Sequence, residues 1–275
     1  MIGLIDYDSL IYQSVYKVVS IQEIKQFFAQ QKSREWMEKE IVDRSINRLC
    51  NMGDGLMTEI ERSPEFKENG FDISFCEYFI TPRLSIRKHL FNEYKANRDV
   101  KINPMTKWAN KVRKYLLDSN FATVKLGFEA DDLIADRAKE LGQSECIIIS
   151  LDKDLLQIAG IHFNFYRKPS KEKDAFGNRI KNECKGLIIV NEKEAEYNFW
   201  LQMLTGDQTD NVKGIKGIGK VKAAKILESS DNFEQTVIET YKNIYGETWL
   251  NEFKKNHLFL YLGTDRSYQT INMTG

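Results

Sequence analysis

Apolar residues follow two spacings along the chain, and the spacings alternate. Short runs rich in β-branched and aromatic residues, at 2–5, 73–80, 146–150, 162–166 and 187–190, are separated by stretches whose apolar positions return every three or four residues. This pattern predicts an α/β fold with a largely parallel central sheet flanked by helices. One helix is expected at 104–117, where Pro104 suits a first helical position and Trp108, Val112, Tyr115 and Leu116 recur at helical spacing. A second is expected at 129–141 over a stripe of Ala130, Leu133, Ile134, Ala138 and Leu141, and a third at 192–204. Residues 20–62 predict a helical packing scaffold with a break at Met52-Gly53-Asp54-Gly55. Residues 168–185, polar and with Gly177 and Gly186 near their ends, predict an exposed loop or hairpin. No internal repeat at the ~20–50-residue periods of solenoids is present.

Composition narrows this picture. The chain has 275 residues, 42% of them apolar and 29% charged, so it can bury a core and lacks the composition that keeps segments disordered. At about 150 residues per domain, one or two domains are expected. The apolar start is broken by Asp6 and Asp8, unlike a secretory leader, and no run approaches the roughly 20 apolar residues of a membrane helix. Cys50, Cys76, Cys146 and Cys184 form no CxxC pair, which argues against a zinc site or disulfide framework and for a reducing, cytoplasmic location.

Forty basic residues balance forty acidic ones, which excludes coating of nucleic acid by bulk charge. The charges are nevertheless segregated. Residues 94–114 hold Lys95, Arg98, Lys101, Lys107, Lys111, Arg113 and Lys114 against a single acid, Asp99, and residues 213–225 hold five lysines and no acid.

The acids gather at element ends. Asp6 follows the first expected strand, and Asp152 and Asp154 follow the strand at 146–150. Ligands of open α/β sheets bind beyond the carboxyl ends of the strands, where these three would lie. Glu129, Asp131 and Asp132 open the helix before that second strand; taken alone, they could equally be acids favoured by the helix dipole. Asp207 and Asp210 follow the helix at 192–204. Eight anions brought together would cost several kcal/mol unless cations neutralised them. All-oxygen donors suit Mg2+ or Mn2+, and a pair of such ions stabilises both the attacking and the leaving oxygen of a phosphoryl displacement. His89, His162 and His257 are scattered, form no triad, and are expected in packing or on the surface.

Two further segments suit phosphate. Gly214-Ile215-Lys216-Gly217-Ile218-Gly219-Lys220, continuing into Val221 and Lys222, predicts a glycine-rich hairpin that opens into a helix. The alternative is a plain helix-turn with a solvated lysine face. Tyr94-Lys95-Ala96-Asn97-Arg98 sets an aromatic beside two cations: Lys95 and Arg98 could orient a phosphate, and Tyr94 is either a base-stacking platform or an ordinary half-buried tyrosine.

Taken together, Ile5-Asp6, YKANR at 94–98, GFEADDL at 127–133, ISLDKD at 149–154 and GDQTDNVKGIKGIGK at 206–220 resemble the 5′-nuclease, or flap endonuclease, superfamily. The likeness is strongest to bacteriophage 5′ to 3′ exonucleases and phage ribonuclease H-type enzymes, holds in the family's order and covers nearly the whole chain. It implies a PIN-like nuclease domain at 1–205 with a helical arch or clamp at about 89–120, followed by a helix-hairpin-helix region at 206–275 that grips duplex DNA. It also implies two ions. Asp6, Glu129, Asp131 and Asp132 would hold or orient the first, and Asp152, Asp154, Asp207 and Asp210 would surround the second. Lys95 and Arg98 would contact the scissile phosphate. Tyr94, Lys101, Lys107, Lys111, Lys114, Gly214, Lys216, Gly217, Gly219, Lys220 and Lys222 would face DNA, and hairpin carbonyls around 212–218 could hold K+.

One position departs from the family pattern. Where an aspartate usually follows the strand before YKANR, this chain has Thr81 and Pro82, with Asp8 as a candidate replacement. The expected protein is therefore a monomeric, metal-dependent 5′ to 3′ exonuclease or flap endonuclease. It would act on 5′ ends, flaps or nicks in DNA or RNA/DNA hybrid, alongside a replication protein. The rival readings are a junction-binding protein with a weakened nuclease centre and a PIN-type ribonuclease.

Overall fold

A computed structural model describes residues 1–16, 18–82, 84–98, 104–167 and 184–265. Strand β1 (Ile2–Asp6) leads into α1 (Asp8–Val15), α2 (Ile21–Ala29), α3 (Arg34–Arg62) and α4 (Pro64–Glu68), and then β2 (Phe75–Phe79). Next come α5 (Ile86–Leu90), α6 (Pro104–Asp118), α7 (Ala130–Leu141), β3 (Cys146–Ile149), β4 (Gly160–Arg167) and β5 (Cys184–Val190). The chain closes with α8 (Glu192–Thr205), the short pair β6 (Gly206–Asp207) and β7 (Val212–Lys213), α9 (Lys220–Glu228), α10 (Phe233–Tyr245) and α11 (Trp249–Leu260). All five expected strands and the three expected helices are present. The expected loop at 168–185 and Lys101 lie outside the described residues, apart from the first two residues of β5.

The sheet runs β2-β1-β3-β4-β5, parallel throughout except for the antiparallel pair β4–β5. β3 reads Cys-Ile-Ile-Ile and is buried on both faces. Ile147 and Ile149 join the core under α1, α3 and α6, while Cys146 and Ile148 join the core under α7. A continuous apolar run is what a doubly covered parallel strand requires. From β1 the chain first adds β2 on one side and later β3 on the other, so a crevice opens at the carboxyl ends of β1 and β3. Asp6 and the 150–154 turn stand at that crevice.

Three features differ from the expectations. α3 runs unbroken through Gly53 and Gly55, because Gly53 lies within the buried stripe Ser45, Leu49, Gly53, Leu56 and Ile60, and packing outweighs the low propensity of glycine. The break comes earlier, between α2 and α3. α6 carries much of the expected arch, yet it is docked on the body, with Ala109, Val112 and Leu116 in the main core. The division expected at residue 205 cuts a continuous cluster: Trp200, Met203 and Leu204 of α8 pack with Ala223, Leu227, Val237, Tyr241 and Phe253.

The turn out of α8 depends on close backbone approach. A Cβ on Gly206 would fall 2.2 Å from the Gly214 nitrogen, and one on Gly214 would fall 2.1 Å from the Thr205 carbonyl carbon. Gly55 by contrast faces open space. In urea denaturation, Gly214→Ala is expected to lose roughly 2–3 kcal/mol. Gly55→Ala is expected to gain about 0.5–1 kcal/mol, as alanine does inside an exposed helix, whereas a break at 52–55 would make it destabilising.

Candidate active site

The carboxylates form one chain of contacts around the crevice. Asp6, the last residue of β1, accepts from the Ser150 hydroxyl at 3.0 Å, and that hydroxyl accepts from the Asp152 amide at 3.0 Å. Asp152 in turn accepts from the Asp154 amide at 2.9 Å. The Lys153 ammonium donates at 2.6 Å both to Asp154 and to Asp207, and Gln202 of α8 also donates to Asp154. Asp207 accepts from the amides of Thr209 and Asp210, which turns the Asp210 carboxylate toward the Tyr94 hydroxyl at 3.2 Å and the Lys95 ammonium at 3.5 Å. Those two groups also reach Glu129, at 2.9 and 2.7 Å. The acids named from sequence are thus brought to one place from four separate segments, with Tyr94, Lys95 and Gln202 joining them.

The 94–98 segment is stitched to the turn after α8. The Lys95 amide, at a positive φ of 56°, donates to the Asp210 carbonyl at 2.9 Å, and the Asn97 side chain donates to the carbonyls of Gln208 and Thr209. Asn211 returns a bond to the Glu93 carbonyl at 2.8 Å. Two of the matching motifs are therefore one structural unit.

The electrostatics divide the acids into two groups. Burial acts to raise Glu129, but Lys95 and Arg87 hold it down at about 2. Asp207 likewise stays below the ordinary carboxylate range despite burial, because Lys153 bonds to it. Where burial and neighbouring acids outweigh any nearby cation, the direction reverses. Burial and then Asp8 push Asp6 up to about 7, and burial and then Asp152 push Asp154 up to about 6. Burial and its neighbour Asp132 raise Asp131 well above the ordinary range.

Among the described residues, no three His, Cys, Asp or Glu side chains stand at ligand spacing. The Lys95 ammonium lies between Glu129 and Asp210, and the Lys153 ammonium between Asp154 and Asp207. The donor set is all oxygen, two cations already sit among these acids, and burial with neighbouring acids raises the proton affinity of three of them. That chemistry fits hard divalent cations.

Several expectations change. Tyr94 is not a stacking surface for bases: it is buried, stacks on Phe259 with centroids 5.1 Å apart, and spends its hydroxyl on Glu129 and Asp210. Asp132 does not face an ion, because each of its oxygens accepts two hydrogen bonds, from Arg87, the Glu129 amide and the Gly263 amide. It orients Glu129 instead. Lys95 turns inward to the acids, and nothing is described of the Arg98 side chain. Lys107 and Lys111 share Glu38 of α3, and Lys114 pairs with Asp118, so these cations are offset by acids rather than bare. Lys216, Lys220 and Lys222 remain exposed around Gly217 and Gly219, while Ile215 and Ile218 anchor the loop in the core.

Thr81 has another use. Its hydroxyl accepts from the Ala130 amide at the start of α7, and its own amide donates to Asp8 at 3.0 Å. Asp8 lies beside Asp6 but is paired with Arg113 at 2.8 Å. The histidines are structural or peripheral as expected: His162 is buried against the Ile158 carbonyl, His257 is buried beside Tyr261 and Phe199, and His89 is exposed.

Sequence reasoning missed Arg87 and Lys153. Lys153 lies between two singled-out aspartates. Arg87 falls four residues before Phe91, a cation at helical spacing from an apolar residue, which was a weak signal of burial.

The sheet, the acidic crevice and the hairpin after α8 make up an α/β fold with its acids gathered at the carboxyl edge. Residues 67–185 match the family described as "5'-3' exonuclease, N-terminal resolvase-like domain". The chain is 30% identical over 206 residues to a DNA polymerase I of Rhizobium leguminosarum, an alignment that covers 71% of the chain and 18% of that protein. It is 29% identical over 177 residues to a 5'-3' exonuclease of Buchnera aphidicola subsp. Schizaphis graminum, covering 61% and 54%. It is 30% identical over 152 residues to the flap endonuclease Xni of Shewanella amazonensis, covering 53% and 55%. The chain therefore spans about half of the separate exonucleases and a small part of the polymerases. Among solved structures, the T5 D15 protein co-crystallized with metal ions superposes with a TM-score of 0.55 at 17% identity, covering 94% of this chain and 88% of that one. Among the described residues no helix is long and apolar enough to cross a membrane.

The raised Asp6 carries a sign for stability. Unfolded, this carboxyl titrates near 3.8; folded, near 7. Folding therefore takes up a proton between those values, so stability from this group falls as pH rises through that window, and its cost is complete above 7. A divalent ion held at Asp6 would remove that cost. Mg2+ is expected to raise the melting temperature more at pH 8 than at pH 5.5, measured against chelator; equal shifts, or none, would count against an ion at Asp6.

Proposed function

We propose that the chain is a divalent-metal-dependent 5′-nuclease that hydrolyses phosphodiesters at 5′ ends, flaps and nicks in DNA or RNA/DNA hybrid, in removal of primers or flaps during replication. The observation that carries this reading is the unbroken contact chain from Asp6 through Asp154, Asp207 and Asp210 to Glu129. Asp6, Glu129 and Asp131 would hold a first Mg2+ or Mn2+, and Asp152, Asp154, Asp207 and Asp210 a second. Such ions lower the pKa of water toward about 7 and balance charge on the attacking and leaving oxygens.

The chain's own groups do the rest. Lys95 exchanges Glu129 and Asp210 for oxygens of the scissile phosphate, with Arg98 beside it. The hairpin presents backbone and lysines to duplex phosphates, which position without reading sequence. Its carbonyls around 212–218 are the place for K+. The names of the relatives, DNA polymerase I and flap endonuclease, support a replication role.

One observation favours a second reading, a junction-binding protein with a weakened centre: Thr81 stands where a carboxylate was expected, and Asp8 is paired with Arg113. Cleavage of 5′-labelled flap and nicked duplex, with Mg2+ and with chelator, separates the two. Cleavage with Mg2+ alone is expected; binding without turnover under any divalent ion supports the second reading. Asp152 is exposed, so Asp152→Asn is expected to keep the fold and junction binding while cleavage drops on the order of 10²-fold or more. Lys220→Ala and Lys222→Ala are expected to weaken junction binding, each taking about one unit from the slope of log affinity against log salt.

A further inference from the structure

Arg87 is 1% exposed, one of the most deeply buried large side chains in the protein. Its guanidinium has five N–H donors, and all five are used. Nε donates to the Leu258 carbonyl at 3.1 Å. Nη1 donates to Glu129 at 3.0 Å and to Asp132 at 3.1 Å, and Nη2 donates to Asp132 at 2.6 Å and to the Tyr261 carbonyl at 2.7 Å. Asp131 lies 3.7 Å away. The same C-terminal segment gives three more donors to α7: the Gly263 amide donates to Asp132, and the Thr264 amide and hydroxyl donate to Asp136.

We propose that Arg87 is a positioning residue for the nuclease site: it fastens the 258–264 segment to α7 and so fixes where Glu129 and Asp131 present their oxygens. The inference rests on the proposed function. Its physical reason is geometric as well as electrostatic. Glu129 is the residue that caps α7: its amide donates to the buried Asp132 in the same turn, and its carboxylate accepts from Arg87, so both ends of the residue are set by where Arg87 and Asp132 meet. The planar fork of Arg87 bonds both Asp132 oxygens while its other edge holds two backbone carbonyls. A lysine has one point charge and three donors, and cannot bridge four partners in fixed directions.

The test measures ion binding rather than turnover. Mn2+ affinity is read by titration calorimetry for the wild type, Arg87→Lys and the paired variant Arg87→Gln/Asp132→Asn. The pair removes both buried charges together and so protects the fold. Circular dichroism confirms folding, and junction binding is measured in chelator. The expected result is Mn2+ affinity lowered roughly 10–100-fold in both variants, with junction binding in chelator within about twofold of wild type. A folded variant of either kind with wild-type Mn2+ affinity would overturn the proposal. Wild-type protein that cleaves flap DNA with Mg2+ while its Arg87 variants bind Mn2+ normally sinks this inference and leaves the function standing. Wild-type protein that neither binds Mn2+ nor cleaves sinks both.

Discussion

Buried carboxylates repel one another, and everything at the carboxyl edge of this sheet is arranged around that repulsion. Isolated anions in a low-dielectric crevice would not remain charged. The protein answers with cations of its own where it can. Arg87 and Lys95 hold Glu129 ionised, and Lys153 holds Asp207. Where burial and neighbouring acids outweigh those cations, Asp6, Asp131 and Asp154 are left with raised affinity for protons. The crevice is thus half neutralised by the fold and half open to neutralisation from outside.

The surrounding architecture serves the same constraint. The parallel strands β1 and β3 bring Asp6 and the 150–154 turn side by side, and α7 brings its acidic first turn to meet them. The C-terminal helices reach into the site. Their core includes Tyr94, their last turn accepts from Arg87, and the segment beyond them bonds to Asp132. The sheet and the C-terminal helices therefore share residues at the site itself.

Much of this was legible in the sequence. The alternation of periodicities gave the α/β sheet, and the position of the acids after strands gave the crevice, because the carboxyl edge of a parallel sheet is where ligands meet. What escaped depends on contacts distant in sequence. Tyr94 looks like a nucleic-acid aromatic until Phe259 covers its ring. Gly53 and Gly55 look like a break until Gly53 proves to lie in a packed stripe. Arg87 and Asp132 are 45 residues apart, and nothing local marks either as the other's partner. Long-range pairing of opposite charges in a core leaves no periodic trace.

The stitching of the 93–97 segment to the 208–211 turn has one more consequence. Four hydrogen bonds link a stretch beside the acids to the root of the glycine-rich hairpin, so the two move as one rigid piece. Under the proposed reading, the distance from where the double helix rests to where the strand is cut is built into the scaffold. The molecule then works as a gauge: the scission point is measured from a structural landmark on the substrate and owes nothing to the order of its bases.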